Sequence, residues 1–150
     1  MFKKVLYPTD FSANSEKVMP YVKELKNSGT DEIILLHIID TRNEDFIKKG
    51  SWASQTIQNE LMKDYHNNMI KEAEKKIEPI KKELDASFKV KTIITSGIPF
   101  QKIIDTAEEE NVSVIAMGSH GISNIAEMVL GSVTELVFRK TCKPILVIKR

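Results

Sequence analysis

The stretch Val114–Leu136, VIAMGSHGISNIAEMVLGSVTEL, decides the fold of this chain. A short apolar run, Val114-Ile115-Ala116-Met117, breaks into Gly118-Ser119-His120-Gly121. After nine further residues, Gly131-Ser132 heads a second helical pattern. A buried strand that gives way to glycines and then to a helix is how α/β folds build anion sites. Glycine lets the backbone approach a ligand closely, and N–H groups at a helix start point at negative charge. No Gly-Lys-Ser/Thr follows, so this is not a Walker A loop, and it is not the G-x-G-x-x-G dinucleotide loop. An ordinary strand-to-helix turn uses the same residue types, so the rest of the chain has to supply the other half of any site.

The bounds are narrow. A chain of 150 residues suits one domain, 1–150, with a single core. The formal charge of +1 argues against a nucleic-acid partner held by bulk positive charge. Cys142 is the only cysteine, which rules out an intrachain disulfide and fits a reducing compartment. The start MFKKVLYPTDF lacks the apolar core of a secretory leader. No apolar run approaches membrane-spanning length. The expectation is a soluble cytoplasmic protein with no membrane partner.

Outward from the glycine stretch, the chain alternates strands and helices. Lys4-Val5-Leu6-Tyr7, ended by Pro8, reads as a strand buried on both faces. Ser12 or Asn14 can cap one helix whose inner face is Val18, Tyr21, Val22 and Leu25, stopped by Asn27-Ser28-Gly29. Residues 32–39 form a second, central strand. Residues 41–55 read as a mobile polar loop. From about Thr56 a long helix carries the stripe Ile57, Leu61, Tyr65, Met69, Ala73, Ile77, Ile80 and Leu84, with Pro79 expected to kink or divide it. Its lysines alternate with glutamates, as on a solvated face rather than a nucleic-acid patch. Phe88 to Ile94 suits a strand near a sheet edge. A turn at Ser96-Gly97-Ile98-Pro99 leads to a helix lined by Ile103, Ile104 and Ala107. Ser113–Met117 is the fourth strand, Val133, Leu136 and Val137 line the last helix, and Pro144–Ile148 is the last strand.

Such alternation with right-handed crossovers gives an α/β fold, an open five-stranded parallel sheet with helices on both faces. With strand order 3-2-1-4-5, the order reverses between strands one and four. Ligands in such sheets bind outside the carboxyl ends of the strands at that switch point. Asp10 leaves strand one there and Gly118 leaves strand four there, so two distant stretches converge on one crevice.

These residues carry a resemblance. The chain resembles the ATP-binding branch of the universal stress proteins, small single-domain archaeal and bacterial proteins with a Rossmann-like, adenine nucleotide alpha hydrolase-like fold. That branch carries a G-x-x-G-x9-G-S/T pattern, here Gly118-Ser119-His120-Gly121, nine residues, and Gly131-Ser132. Its Pro-Thr-Asp-x-Ser start reads here as Pro8-Thr9-Asp10-Phe11-Ser12. Leu35-Leu36-His37-Ile38 and Pro144-Ile145-Leu146-Val147 match its second and last strands. The loop at 41–55 and Pro79 are the least family-like parts.

The resemblance implies a nucleotide site built from Pro8, Thr9, Asp10, Ile38, Met117, Gly118, Ser119, His120, Gly121, Gly131, Ser132, Val133 and Thr134. Asp10 would accept hydrogen bonds near the ribose and adenine, as a carboxylate can, and a plain helix-start carboxylate would sit there too. Ile38 would offer its backbone to adenine. Gly118 and Gly121 would let a triphosphate lie on the backbone, and Gly131 to Thr134 would supply helix-start donors. Ser132 could equally be a helix N-cap. The implied cofactors are ATP and Mg²⁺ or Mn²⁺ held mainly by phosphates. The implied role is a nucleotide-dependent stress regulator, at most a very slow ATPase. The implied partner is a second copy, paired through the edge strand Ile145–Ile148.

Other titratable residues read as structural. Nothing near His120 in sequence orients it as a base. His37 at a strand end reads as hydrogen-bonded and His66 as solvated, and no cluster has zinc spacing. A phospho-receiver domain would need an aspartate where strand three ends in Ser96-Gly97. A flavodoxin-like electron carrier would stack flavin on an aromatic such as Trp52, and a nucleotide-independent dimeric adaptor would have no need of the glycines.

Overall fold

The computed structural model describes residues 1–44, 54–119 and 130–149. His120, Gly121 and Trp52 lie outside them, as does most of the 41–55 loop; residues 41–43 are a 3-10 turn rather than an irregular loop. The strands are β1 (Lys4–Pro8), β2 (Glu32–Asp40), β3 (Lys89–Gly97), β4 (Val114–Gly118) and β5 (Ile145–Ile148). They form one parallel sheet in the order β3-β2-β1-β4-β5. The expected order holds, with its reversal between β1 and β4. The helices are α1 (Ala13–Glu16), α2 (Met19–Glu24), α3 (Gln55–Asp85), α4 (Pro99–Glu109) and α5 (Ser132–Lys140).

Strand side chains alternate between two cores, which is why the strands read as unbroken apolar runs. Val5, Tyr7, Ile33, Leu35, Val114 and Ala116 pack toward Val18 and Val22 and toward Ile77 and Leu84 of α3. Leu6, Ile34, Leu36, Ile115 and Met117 pack toward Ile103 and Ala107 of α4 and Val137 of α5. At the amino edge of the sheet, Lys4 lies 3.5 Å from Glu32 and 3.7 Å from Glu110, and Lys91 is 2.6 Å from Glu110. That network ties three strand starts to the end of α4.

Two expectations about helices are corrected. The first helical segment is not one helix. It stops at Glu16 and restarts at Met19, with Pro20 in the first turn, where a missing N–H is tolerated. The restart rotates the face, so Tyr21 is exposed rather than buried. α3, in contrast, runs unbroken through Pro79, whose side is exposed, so the ring meets solvent instead of a packed neighbour. The apolar stripe of α3 is buried only in part. Ala73, Ile77 and Leu84 are buried, while Ile57 and Leu61 are exposed. Thirty-one residues make a helix of ~46 Å against ~30 Å for a nine-residue strand, so the start of α3 overhangs the sheet.

A proline in a helix interior costs about 3 kcal/mol through its lost donor and ring clash, offset by up to about 1 kcal/mol of unfolded-state stiffness. Pro79→Ala is therefore expected to stabilise the protein by about 2 kcal/mol, read as a shifted midpoint in urea unfolding. An unmoved midpoint would mean that α3 has adapted around the ring.

Candidate functional site

The site grows from the end of β1. Thr9 continues the strand's pairing by donating its N–H to Leu36 O at 2.8 Å. Its hydroxyl lies 3.1 Å from Ser15 Oγ and accepts from Phe11 N, also at 3.1 Å. Below it, the Tyr7 hydroxyl donates to Ser15 O at 2.7 Å, and burial pushes its pKa up. Ser12 is the N-cap of α1, accepting from Ser15 N at 3.2 Å. Ser12 in turn donates both its N–H and its hydroxyl to Asp10 Oδ1, at 3.0 and 2.5 Å. Asp10 Oδ2 is left without a partner among the described residues. Asp10 is thus oriented by the turn through one carboxylate oxygen.

Between Asp10 and Ser12 the backbone of Phe11 takes φ +60°. That is a strained value for a bulky residue, and such strain clusters at functional sites. It lays the Phe11 ring on His37 with centroids 4.3 Å apart. His37 Nδ1 is 2.8 Å from Thr9 O. A carbonyl only accepts, so Nδ1 carries the proton and Nε2 is the acceptor in the neutral ring. Burial lowers the pKa of His37, against the raising effects of the Thr9 bond and Asp10; Lys76 lowers it further.

The second half of the site comes from the end of β4. Ser119 donates its N–H to Ile148 O at 2.8 Å, and Gly131 donates to Ser119 O at 2.7 Å. Thr134 Oγ1 donates to Gly118 O at 2.9 Å. The two ends of the glycine segment are therefore stitched together. Gly131 is the N-cap of α5 with no side-chain cap, and the first intrahelical bond is Glu135 N to Gly131 O. Ser132 is then the first helical residue and not the cap. The N–H groups of Ser132, Val133 and Thr134 have no intrahelical acceptor, as at any helix start.

Both halves face one cavity of about 590 Å³. Of the residues expected at the site, Pro8, Thr9, Asp10 and Ile38 line it from β1 and β2. Met117, Gly118 and Gly131 to Thr134 line it from β4 and α5. Ser119 is buried and does not line the cavity, and His120 and Gly121 lie outside the described residues. Sequence reasoning missed Phe11 and His37, the apolar wall of Pro99 and Ile103, and the contribution of α3. For α3 the signal was visible but only half read: Tyr65 and Met69 look like core from spacing yet are partly exposed, while Ala73 is buried as expected and also lines the cavity. No group of three His, Cys, Asp or Glu residues that could hold a metal occurs among the described residues, so a cation here would need ligand oxygens. No described helix is long and apolar enough to cross a membrane.

His66 is corrected as well. It is half-buried, its Nε2 lies 2.8 Å from Ser96 Oγ and its Nδ1 3.7 Å from a Glu44 carboxylate oxygen. It ties α3 to the edge strand β3 and is not simply solvated.

A family model of the universal stress protein family matches residues 1–149. The chain belongs to the universal stress protein family. It is 46% identical to the universal stress protein MJ0577 of Methanocaldococcus jannaschii, covering 100% of this chain and 96% of the relative. The solved structure of MJ0577 superposes with a TM-score of 0.85 at 48% identity, over 100% of this chain and 97% of that one. The universal stress protein YxiE of Bacillus subtilis is 30% identical over 99% of this chain and 100% of its own length. Two more distant universal stress proteins share the fold. One is in complex with cAMP, at 19% identity, 99% and 97% coverage and TM-score 0.59. The other, from Arabidopsis thaliana, has AMP bound, at 16% identity, 99% and 92% coverage and TM-score 0.66.

The histidine gives this universal stress protein a pH dependence. A lowered folded pKa means that the unfolded chain takes up the proton first. The stability that His37 contributes is present above the ordinary value of 6.5 and is lost as pH falls from there through the folded value. His37→Asn is expected to flatten that part of the stability profile, followed by urea unfolding from pH 7 downward. A wild-type slope unchanged in the variant would remove His37 as its source.

Proposed function

We propose that this universal stress protein binds ATP and acts as a nucleotide-dependent regulator of a stress response in the cytoplasm, not as a catalyst. The observation that carries this reading is the meeting, across one cavity, of Asp10, whose Oδ2 has no partner among the described residues, with three N–H groups at the start of α5 that have no intrahelical acceptor. Those donors and the helix dipole would take the phosphates. Asp10 Oδ2 would accept from a ribose hydroxyl. Adenine would lie against Ile38, Met117 and Pro99, apolar surfaces that suit a planar base. Relatives with cAMP and AMP bound support an adenine nucleotide as the ligand class. Mg²⁺ or Mn²⁺ would be held by phosphate oxygens and water. Glu135, the acid in the first turn of α5, is paired with Arg139 at 2.8 Å, which would draw it away from orienting water.

ATP at a hundredfold excess over its Kd should add ~2.7 kcal/mol of stability, or roughly 5 to 10 °C in melting temperature. Pyrophosphate alone should give much less. If ATP and pyrophosphate shift the melting point equally, the base and ribose contacts assigned here are wrong.

The regulator would be a homodimer. β5 is the sheet's outer strand, paired only with β4 among the described residues, and Ile145, Leu146 and Val147 are only partly buried. Open backbone groups on an apolar edge favour pairing with another strand. A second copy across a twofold axis would present the same edge, antiparallel, with Val147 near the axis. Val147→Pro removes a ladder donor there and should shift a wild-type dimer toward monomer in light scattering at micromolar concentration. A variant dimer of unchanged affinity would place the interface elsewhere.

A further inference from the structure

The cavity continues beyond the nucleotide region to the sheet face covered by α3, where Arg42, Tyr65, Met69, Glu72, Ala73 and Lys76 line it. Most of the charge there is compensated. Arg42 bonds Asp40 through Nε and Nη2. Glu72 pairs with Lys75 at 3.3 Å. Lys76 has no acidic partner among the described residues. Its Nζ stands 5.8 Å from the centroid of the Phe11 ring, which rests on His37 and follows Asp10 directly in the chain. The effect of Lys76 on His37 is that of a nearby positive charge. Among the described residues, a cation without an acidic partner therefore stands over the ring of the residue that follows Asp10, on the face of the sheet opposite to α5.

A ribose carries its 5′ carbon and its 2′ and 3′ hydroxyls at opposite ends of the ring. With the 5′ phosphates at α5, the hydroxyl edge would turn toward Asp10 and α3, across the cavity. We propose that Lys76 forms an anion subsite for a phosphoryl group on that edge. The ligand class favoured is then an adenosine nucleotide phosphorylated at the 2′ or 3′ position as well as at the 5′ position. This rests on the nucleotide reading above. Asp10 Oδ2 accepts from whichever ribose hydroxyl remains free, and the ammonium offsets its repulsion of the added phosphate. Phe11, with its left-handed backbone, presents its ring to the Lys76 ammonium, and both line the cavity. Lys76 is exposed, so the attraction is modest and screened by salt.

Calorimetric titration of the full chain with AMP, adenosine 3′,5′-bisphosphate and adenosine 2′,5′-bisphosphate tests the subsite. At low ionic strength one bisphosphate should bind about fivefold tighter than AMP, and the gain should shrink in high salt. Lys76→Gln should erase the gain while leaving AMP affinity unchanged, and Lys76→Arg should keep it. The subsite is overturned if neither bisphosphate exceeds AMP, or if the gain survives in Lys76→Gln. AMP binding with no bisphosphate gain sinks the subsite alone, whereas failure of all three ligands to bind sinks the nucleotide reading with it.

Discussion

Every polar atom of Thr9 is engaged, and the site is arranged around that residue. Its N–H extends the β1–β2 ladder, its carbonyl fixes the tautomer of His37, and its hydroxyl joins Ser15 and Phe11 N. It is 5% exposed, so none of these groups can fall back on water without cost. The turn it holds sets the strained Phe11, and the turn then delivers Asp10 with one oxygen tied by Ser12 and the other without a partner among the described residues. A change at Thr9 would act through all of these at once, since connected hydrogen bonds are not additive.

The fold was legible because its signals are redundant. Central strands of a parallel sheet are covered on both faces, so they appear in sequence as apolar runs too short for helices. Once strands and helices alternate, handedness and the rule of the switch point place Asp10 and Gly118 at the same crevice.

What stayed hidden depends on contacts between elements distant in sequence. Spacing predicts a helix face but not where the sheet beneath it ends, so Ile57 and Leu61 read as core although nothing described covers them. Tyr21 followed the right period on a helix that Pro20 restarts in another orientation. His66 and Lys76 look alike in sequence, as polar residues on a charged helix. One finds Ser96 and Glu44, and the other finds an aromatic ring and, among the described residues, no acid. The polar positions of a crossing helix acquire meaning only when the crossing is known.

The overhang of α3 has a consequence for motion. Its inner half is welded to the sheet by Ala73, Ile77 and Leu84, while on its outer half the ties to the body include His66 with Ser96 and Glu44. Local opening is easiest where few apolar contacts must be broken. The helix is therefore two units in series, continuous in geometry but unequal in protection. Amide hydrogens near Leu61 would exchange through local fraying, while those near Leu84 would wait for the whole domain to open. Tyr65 and Met69 stand at that boundary and also line the cavity, so a ligand touching them would add contacts to a partly buried stretch of the helix and stiffen it.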